Sequence, residues 1–221
     1  MAPLSYAAVR EEICAVGRLL YDRGYVVSND GNISVRVAPD RVLITPSGVG
    51  KGRMEPEMLV LCNLAGEHIE GARHASSESK MHLMVYRERA DVGSVVHAHP
   101  PYSTACAICR RPLTERYLTE VVSGLGEVPV TDFAMPSTDE VPESVRPFVR
   151  DHDAVLLANH GSLALGATLW QAFDRLETVE QTARIYTLVR LAGGGVEFTE
   201  EQAATLRGLT GYYQGLAQAR E

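Results

Sequence analysis

Two histidines one residue apart, in the run Val95-Val96-His97-Ala98-His99-Pro100, constrain this chain more than any other stretch. Along a β-strand successive side chains alternate, so His97 and His99 point to one face. Their imidazoles can then converge on one point, as two ligands of a metal ion must. Ala98 faces the other way, and the preceding valines bury the strand. A third histidine, in Asn159-His160-Gly161, follows a second apolar run, Ala154-Val155-Leu156-Leu157-Ala158. Any one of these alone is more simply a core histidine; the alternating pair favours a metal site. Three histidine ligands leave a fourth position open, which is the arrangement of a catalytic rather than a structural zinc.

A chain of 221 residues is long enough to bury a substantial core around such a site. Val9, Ile13, Val16 and Leu20 recur at helical spacing before Gly24, which predicts a helix over 7–23. Alternation and turn residues predict strands at 33–37, 41–45 and 58–64. Ser76-Ser77-Glu78 reads as the start of a helix running to 89, followed by a strand at 94–99. Helices are then expected at 101–109 and 114–122, a short strand at 128–130, and a helix at 138–150. A strand at 154–158, continuing through 162–165, leads into helices at 168–191 and 199–219, which Gly193-Gly194-Gly195 separates. No repeat, linker or low-complexity tract divides the chain, so residues 1–221 are expected to form a single α/β domain.

Charge and composition narrow the function. A net charge of −7 argues against nucleic acid as the main partner, because phosphate backbones are bound by basic faces. It leaves room for a small phosphorylated ligand, which needs only a few local donors. No run approaches the ~18 apolar residues of a membrane span, and the first residues lack the charged and apolar regions of a signal peptide. A cytoplasmic location is the expectation. Cys14, Cys62, Cys106 and Cys109 stand among apolar neighbours and read as buried, inert thiols; the Cys106–Cys109 pair has no second pair to complete a zinc site. Lys51, in a glycine-rich loop, and Lys80, among polar residues, are the only lysines, so neither is expected as the buried amine of a Schiff base. His68, His74, His82 and His152 lie in polar or helical contexts and are read as surface residues.

Glu78, after two serines at the head of a helix, sits where backbone N–H groups favour an anion. Loops rich in glycine and hydroxyl groups recur at Asn29-Asp30-Gly31-Asn32, Thr45-Pro46-Ser47-Gly48 and Ser76-Ser77. Each could bind a phosphate or simply turn the chain. None is a Walker A or dinucleotide fingerprint.

In this order the motifs are specific. Gly31-Asn32-Ile33-Ser34-Val35-Arg36, Ile44-Thr45-Pro46-Ser47-Gly48, Ser76-Ser77-Glu78, Val96-His97-Ala98-His99 and Leu157-Ala158-Asn159-His160-Gly161 resemble the class II aldolase/adducin family, over nearly the whole chain. The resemblance implies a three-layer α/β domain whose central, mainly antiparallel sheet is flanked by helices. It implies His97, His99 and His160 as zinc ligands, with Mn2+, Co2+ or Fe2+ as alternatives. Glu78 would complete the resting metal shell and act as general acid/base. Asn32, Ser47, Gly48, Ser76 and Ser77 would bind the substrate phosphate. Tyr117 falls where family aldolases have a tyrosine reaching into a neighbouring subunit's site. Tyr212 and Tyr213 are candidates for a mobile aromatic over the site, and Pro136 stands where a phenylalanine lines the aldehyde pocket.

The implied activity is retro-aldol cleavage of a ketose phosphate through a zinc-stabilised enediolate, by a homotetramer with sites between subunits. Decarboxylation of a 3-oxo-tetronate 4-phosphate, dehydration and 4-epimerisation use the same cage. The family's epimerases carry aspartate where Glu78 stands, which favours the aldolase. A non-catalytic, adducin-like interaction module would lack the complete metal set that is present here. An amidohydrolase barrel wants about 250 residues, and a cupin wants its glutamate after the histidine pair and far more strand than helix.

Overall fold

Alternation along the strands builds a sheet whose two faces are both covered, in a computed structural model that describes residues 6–218 and the side chains of residues 6–209. Helix α1 (Ala7–Asp22) precedes strands β1 (Asn32–Ala38), β2 (Arg41–Ile44), β3 (Val60–Cys62) and β4 (His68–Glu70). Helix α2 (Ser79–Glu88), strand β5 (Ser94–Ala98) and helices α3 (Pro101–Ile108) and α4 (Glu140–Val145) follow. Strands β6 (Ala154–Leu157) and β7 (Gly161–Gly166) form a hairpin, and α5 (Leu169–Leu191) and α6 (Glu200–Gln218) end the chain. The seven strands are ordered β4-β3-β2-β1-β5-β7-β6, and every neighbouring pair is antiparallel.

Neighbouring strand residues part company as the pleat requires. Val42, Ile44, Val95, Leu163 and Leu165 pack with Met81 and Val85 of α2 and Val141 and Val145 of α4. Ile33, Leu43, Val96 and Ala164 pack on the opposite face with Ile13, Val16 and Leu20 of α1 and Phe173 and Leu176 of α5. Cys106 and Ala107 of α3 join α5 over Ala154 and Leu156. Each valine, leucine, isoleucine, methionine or phenylalanine among them contributes roughly 1.5–3 kcal/mol when fully buried, so both helical layers are held by the sheet. The result is the three-layer α/β fold with the sheet at its centre. No helix of the described residues is long and apolar enough to cross a membrane.

Several elements differ from expectation. Only the end of the helix expected at 114–122 forms: Leu113 pairs with Val128 as an isolated bridge, 114–118 are irregular, and a short helical stretch covers 119–125, π-helical over Val121–Leu125. The backbone there is satisfied from elsewhere: Tyr186 Oη donates to the Glu115 carbonyl, and Phe198 N–H donates to that of Arg116 at 2.9 Å. Residues 128–130 make only isolated bridges, the second between Val130 and Leu156. The expected strand at 58–64 shortens to Val60–Cys62, because Pro56 opens a 3₁₀ turn, Pro56–Met58. The buried guanidinium of Arg10 fixes that turn through the carbonyls of Pro56 and Leu59 and a 2.6 Å ion pair with Glu70. Helix α4 stops at Val145, short of the expected 150: Arg146 keeps helical dihedrals (φ −48°, ψ −43°) and its N–H still donates to Pro142 O at 2.9 Å, but Pro147 has no N–H with which to continue the ladder. Residues 154–165 are two strands of a hairpin, and the short edge strand β4 carries no sequence pattern of its own.

Candidate active site

His97 lies on β5 directly opposite Asn32 of β1, on the face that carries α2. His99 stands just past the end of β5, where its N–H donates to Tyr25 O at 2.9 Å. The next turn is locked by Glu180, whose carboxylate accepts from the N–H groups of Tyr102 and Ser103 at the start of α3 at 2.9 and 2.8 Å. His160 sits at the tip of the β6–β7 hairpin, behind Asn159, which takes a left-handed φ of 57°. Gly161 allows the tip to press inward: a Cβ there would meet Ala98 O at 2.4 Å and His99 Cδ2 at 2.6 Å. At Gly31, with φ of +70°, a Cβ would meet His97 O at 2.7 Å. Glycine at these two positions is what lets three separate segments close on one point.

The three rings have centroids 4.7 to 4.9 Å apart, and one ligand nitrogen from each lies within 4.8 Å of the others. His97 is fully buried, and its Nδ1 is 2.9 Å from Ser162 O, a carbonyl that can only accept. Nδ1 therefore carries the proton, and Nε2 presents its lone pair to the cluster. His99 Nε2 faces it at 3.1 Å. Burial lowers the pKa of both rings, which disfavours the imidazolium form.

Glu78, at the N-terminal boundary of α2, adds a carboxylate with Oε2 3.4 Å from His97 Nε2 and Oε1 3.1 Å from His160 Nε2. Burial alone would raise its pKa, but His97, His160 and Asn32 together hold it well below the usual carboxylate range. Oε1 is buried without an aligned hydrogen-bond donor. Converging imidazole lone pairs and an orphaned anionic oxygen are the donor set of a divalent cation. Three nitrogens and one oxygen suit zinc.

A buried chain of side chains sets the direction of this carboxylate. His82 was expected at the surface, yet it is fully buried beneath Asn32. Burial lowers its pKa to about 4, so it is neutral. Asn32 Nδ2 donates to Glu78 Oε2 at 2.6 Å, which turns Asn32 Oδ1 toward His82 Nε2 at 2.5 Å. That nitrogen must then be the donor, leaving Nδ1 to accept from Ser34 Oγ at 2.7 Å. Tyr86 Oη completes the series, donating to Ser34 Oγ at 2.8 Å. Every donor points toward Glu78. Among the remaining histidines, His68 and His74 are exposed and His152 is half-buried against Phe148.

Asn32, Ser47, Gly48, Ser76 and Ser77 line one cavity of about 200 Å³, together with Glu78, His99 and His160. Backbone bonds from Ser47 N–H to His74 O at 3.0 Å and Ser76 N–H to Thr45 O at 3.1 Å clamp its two hydroxyl-bearing loops. Pro136 also lines it. Lys51 does too, and here the structure corrects expectation: the side chain is 2% exposed, and burial lowers its pKa to about 8. Its amine is held by two backbone carbonyls, Asn29 O at 3.0 Å and Val49 O at 2.9 Å, an arrangement that keeps the protons on nitrogen. Tyr117 is not brought to this cavity. Its ring packs on Tyr186, with centroids 5.2 Å apart. Tyr212 and Tyr213 lie outside the residues whose side chains are described. The cysteines are free and three are buried, but Cys109, past the end of α3, is exposed. A larger depression of about 460 Å³ between α1 and residues 54–56 gathers no comparable set of groups.

Known proteins share both the sequence and this architecture. The chain matches the Class II Aldolase and Adducin N-terminal domain over residues 11–187. It is 32% identical to 3-oxo-tetronate 4-phosphate decarboxylase of Haemophilus influenzae, over 81% of this chain and 87% of that one. It is 34% identical to L-fuculose phosphate aldolase of Methanococcus vannielii, over 81% and 96%. A solved structure of L-fuculose 1-phosphate aldolase superposes with a TM-score of 0.86 at 32% identity, covering 94% of this chain and 98% of that one. With the domain match spanning most of its length and the fold reproduced around the histidine cluster, the chain belongs to the class II aldolase and adducin family.

Proposed function

We propose that the protein is a metal-dependent carbon–carbon lyase that cleaves a ketose phosphate by a retro-aldol reaction, in the manner of L-fuculose-1-phosphate aldolase. One observation carries the reading: three imidazole nitrogens within 4.8 Å of one another, beside a buried carboxylate, at the edge of a cavity lined by serine and glycine. His97, His99, His160 and Glu78 would hold the metal, with zinc suited best and Mn2+, Co2+ or Fe2+ as substitutes. A divalent cation there supplies a Lewis acid that draws charge from the substrate's carbonyl oxygen.

The chain's own residues do the rest. Asn32, Ser47, Gly48, Ser76 and Ser77 bind the phosphate, and that binding energy holds the scissile bond in place. When the bond breaks, its electron pair stays with the carbon beside the ketone, and the other fragment leaves as an aldehyde. Glu78 moves the proton at that carbon, and the hydrogen bond from Asn32 fixes which oxygen faces it. Tyr117 manages the proton on the aldehyde oxygen. It lies outside the cavity of its own chain, so this role is played in the site of a second copy, within a homotetramer that shares sites between subunits. Residues 1–221 act as one domain, in the cytoplasm, on a small phosphorylated sugar.

The 32% identity to a 3-oxo-tetronate 4-phosphate decarboxylase favours a second reading, in which the broken bond releases carbon dioxide and Tyr117 is not needed. A substrate panel separates the two. Metal-loaded protein is offered fuculose, rhamnulose and ribulose phosphates and a 3-oxo-tetronate 4-phosphate, with Glu78→Gln as control. Triose phosphate with an aldehyde supports the aldolase; triose phosphate with carbon dioxide and no aldehyde supports the decarboxylase. Conversion of ribulose 5-phosphate to xylulose 5-phosphate without cleavage contradicts both.

A further inference from the structure

Residues 27–31 and 46–50 meet over one buried cation. Lys51 opens a short 3₁₀ turn, Lys51–Arg53, packed against α1. Its Nζ donates to Asn29 O in the first segment and Val49 O in the second, at 3.0 and 2.9 Å. An ammonium has three N–H groups, and these carbonyls take two of them; Lys51 also lines the cavity of Ser47, Gly48, Ser76 and Ser77.

Charge gives this amine a task. Among the described residues that line the cavity, Lys51 is the one lysine or arginine, whereas Asp30 and Glu78 are both acids. Serine hydroxyls and backbone N–H groups orient an anion but bring no net charge. A divalent cation held by the histidines would offset Glu78 at that end of the cavity, so a dianion at the serine end, on the side of Asp30, still needs a fixed positive charge of its own. Burial supports the same assignment: it lowers the amine's pKa to about 8, so the ammonium is under-compensated until an anion arrives. The reaction proposed above leaves Lys51 unused, and an amine whose protons are held by two carbonyls has no lone pair to offer a carbonyl carbon.

Resting on the sugar-phosphate reading, we infer that Lys51 is the countercharge that commits this cavity to a dianionic phosphate ester: its buried ammonium bridges Asn29 and Val49 and directs a charge-assisted donor at the phosphate. A cavity with the same hydroxyl groups and no Lys51 would accept the neutral sugar as readily. Lys51 is thus a specificity-determining residue of the phosphate end, separate from the proton transfer at Glu78.

Calorimetric titration of the zinc-loaded protein with inorganic phosphate tests this without recourse to turnover. Lys51→Met and Lys51→Gln are expected to weaken phosphate binding at least about tenfold, the order of one charge-assisted hydrogen bond, and Lys51→Arg to restore part of it. Zinc stoichiometry and the thermal midpoint report folding. Glutamine keeps an N–H donor for the loop carbonyls without the charge, so it decides the matter if the methionine variant does not fold. A glutamine variant that binds phosphate like the parent chain overturns the inference and leaves Lys51 as a strut between two loops. A failed substrate panel overturns the proposed reaction and leaves the phosphate titration to be judged by itself.

Discussion

Asn32 Nδ2 donates to Glu78 Oε2 across 2.6 Å, tying the carboxylate at the head of α2 to the strand that lies opposite His97. Removing that donor frees the carboxylate to rotate and leaves His82 Nε2–H without its acceptor. Partners that orient a ligating or catalytic group are typically worth about 10–100-fold in metal affinity or activity. Asn32→Ala is expected to lower kcat within that range. It is also expected to lower stability by roughly 1–3 kcal/mol, the cost of an unsatisfied buried donor. Steady-state kinetics with denaturant unfolding reads both; unchanged kcat contradicts the positioning role.

His82 predicts a pH dependence of stability with a definite sign. Its pKa is lowered by burial to about 4, below the roughly 6.5 of an unfolded chain. Between those values the unfolded state binds the extra proton, so the contribution is complete above pH ~6.5 and is lost as the pH falls toward 4, on the order of 3 kcal/mol in all. Unfolding free energies of metal-free protein across pH 4–7 should show this slope, and His82→Gln should flatten it by about one proton. An identical slope in the variant would place the titration elsewhere.

At Gly161 the expected effect is geometric. A Cβ would sit 2.4 Å from Ala98 O, so Gly161→Ala must push the hairpin tip, and His160 with it, away from His99. Overpacking of this kind costs roughly 1–3 kcal/mol. Zinc affinity should fall by a larger factor than in a substitution of exposed Gly124, where a Cβ meets nothing within 4 Å. Equal affinities in the two variants would show that the tip does not position a ligand.

Glu78→Gln keeps the shape of the side chain and removes its basicity. Three histidines still bind metal, while proton movement at the substrate carbon slows by about 10²–10⁴-fold. Exchange of solvent deuterium into dihydroxyacetone phosphate measures that step apart from bond cleavage. Exchange at the parent rate would assign the proton to another group.

Period-two alternation is a local rule, which is why His97 and His99 were readable from sequence as members of one face; that Asn32 stands opposite His97 follows only from the pairing of β1 with β5. The cluster of Glu78 with His160, and the cavity formed by Ser47, Gly48, Ser76 and Ser77, came from the order of short motifs; no single motif was informative. What escaped the sequence depends on tertiary packing. His82 sits in a helix among polar neighbours, and only the placement of α2 over β1 buries it beneath Asn32. Lys51 follows a glycine loop, and α1 covers it. The helix expected at 114–122 begins only at 119, because residues 115 and 116 find their hydrogen bonds in α5 and in residues 197–198.

The proposed reaction depends on a metal centre made by His97, His99 and His160. Titration of metal-free protein with zinc, read by competition with a chromophoric chelator, measures that centre without any substrate. The parent chain should bind one equivalent per protomer and its thermal midpoint should rise, since a ligand present at 100 times its Kd adds about 2.7 kcal/mol. His97→Ala and His160→Ala should lose that equivalent. A folded parent chain that takes up no zinc, or variants that bind it equally well, would rule out a metal centre at these histidines.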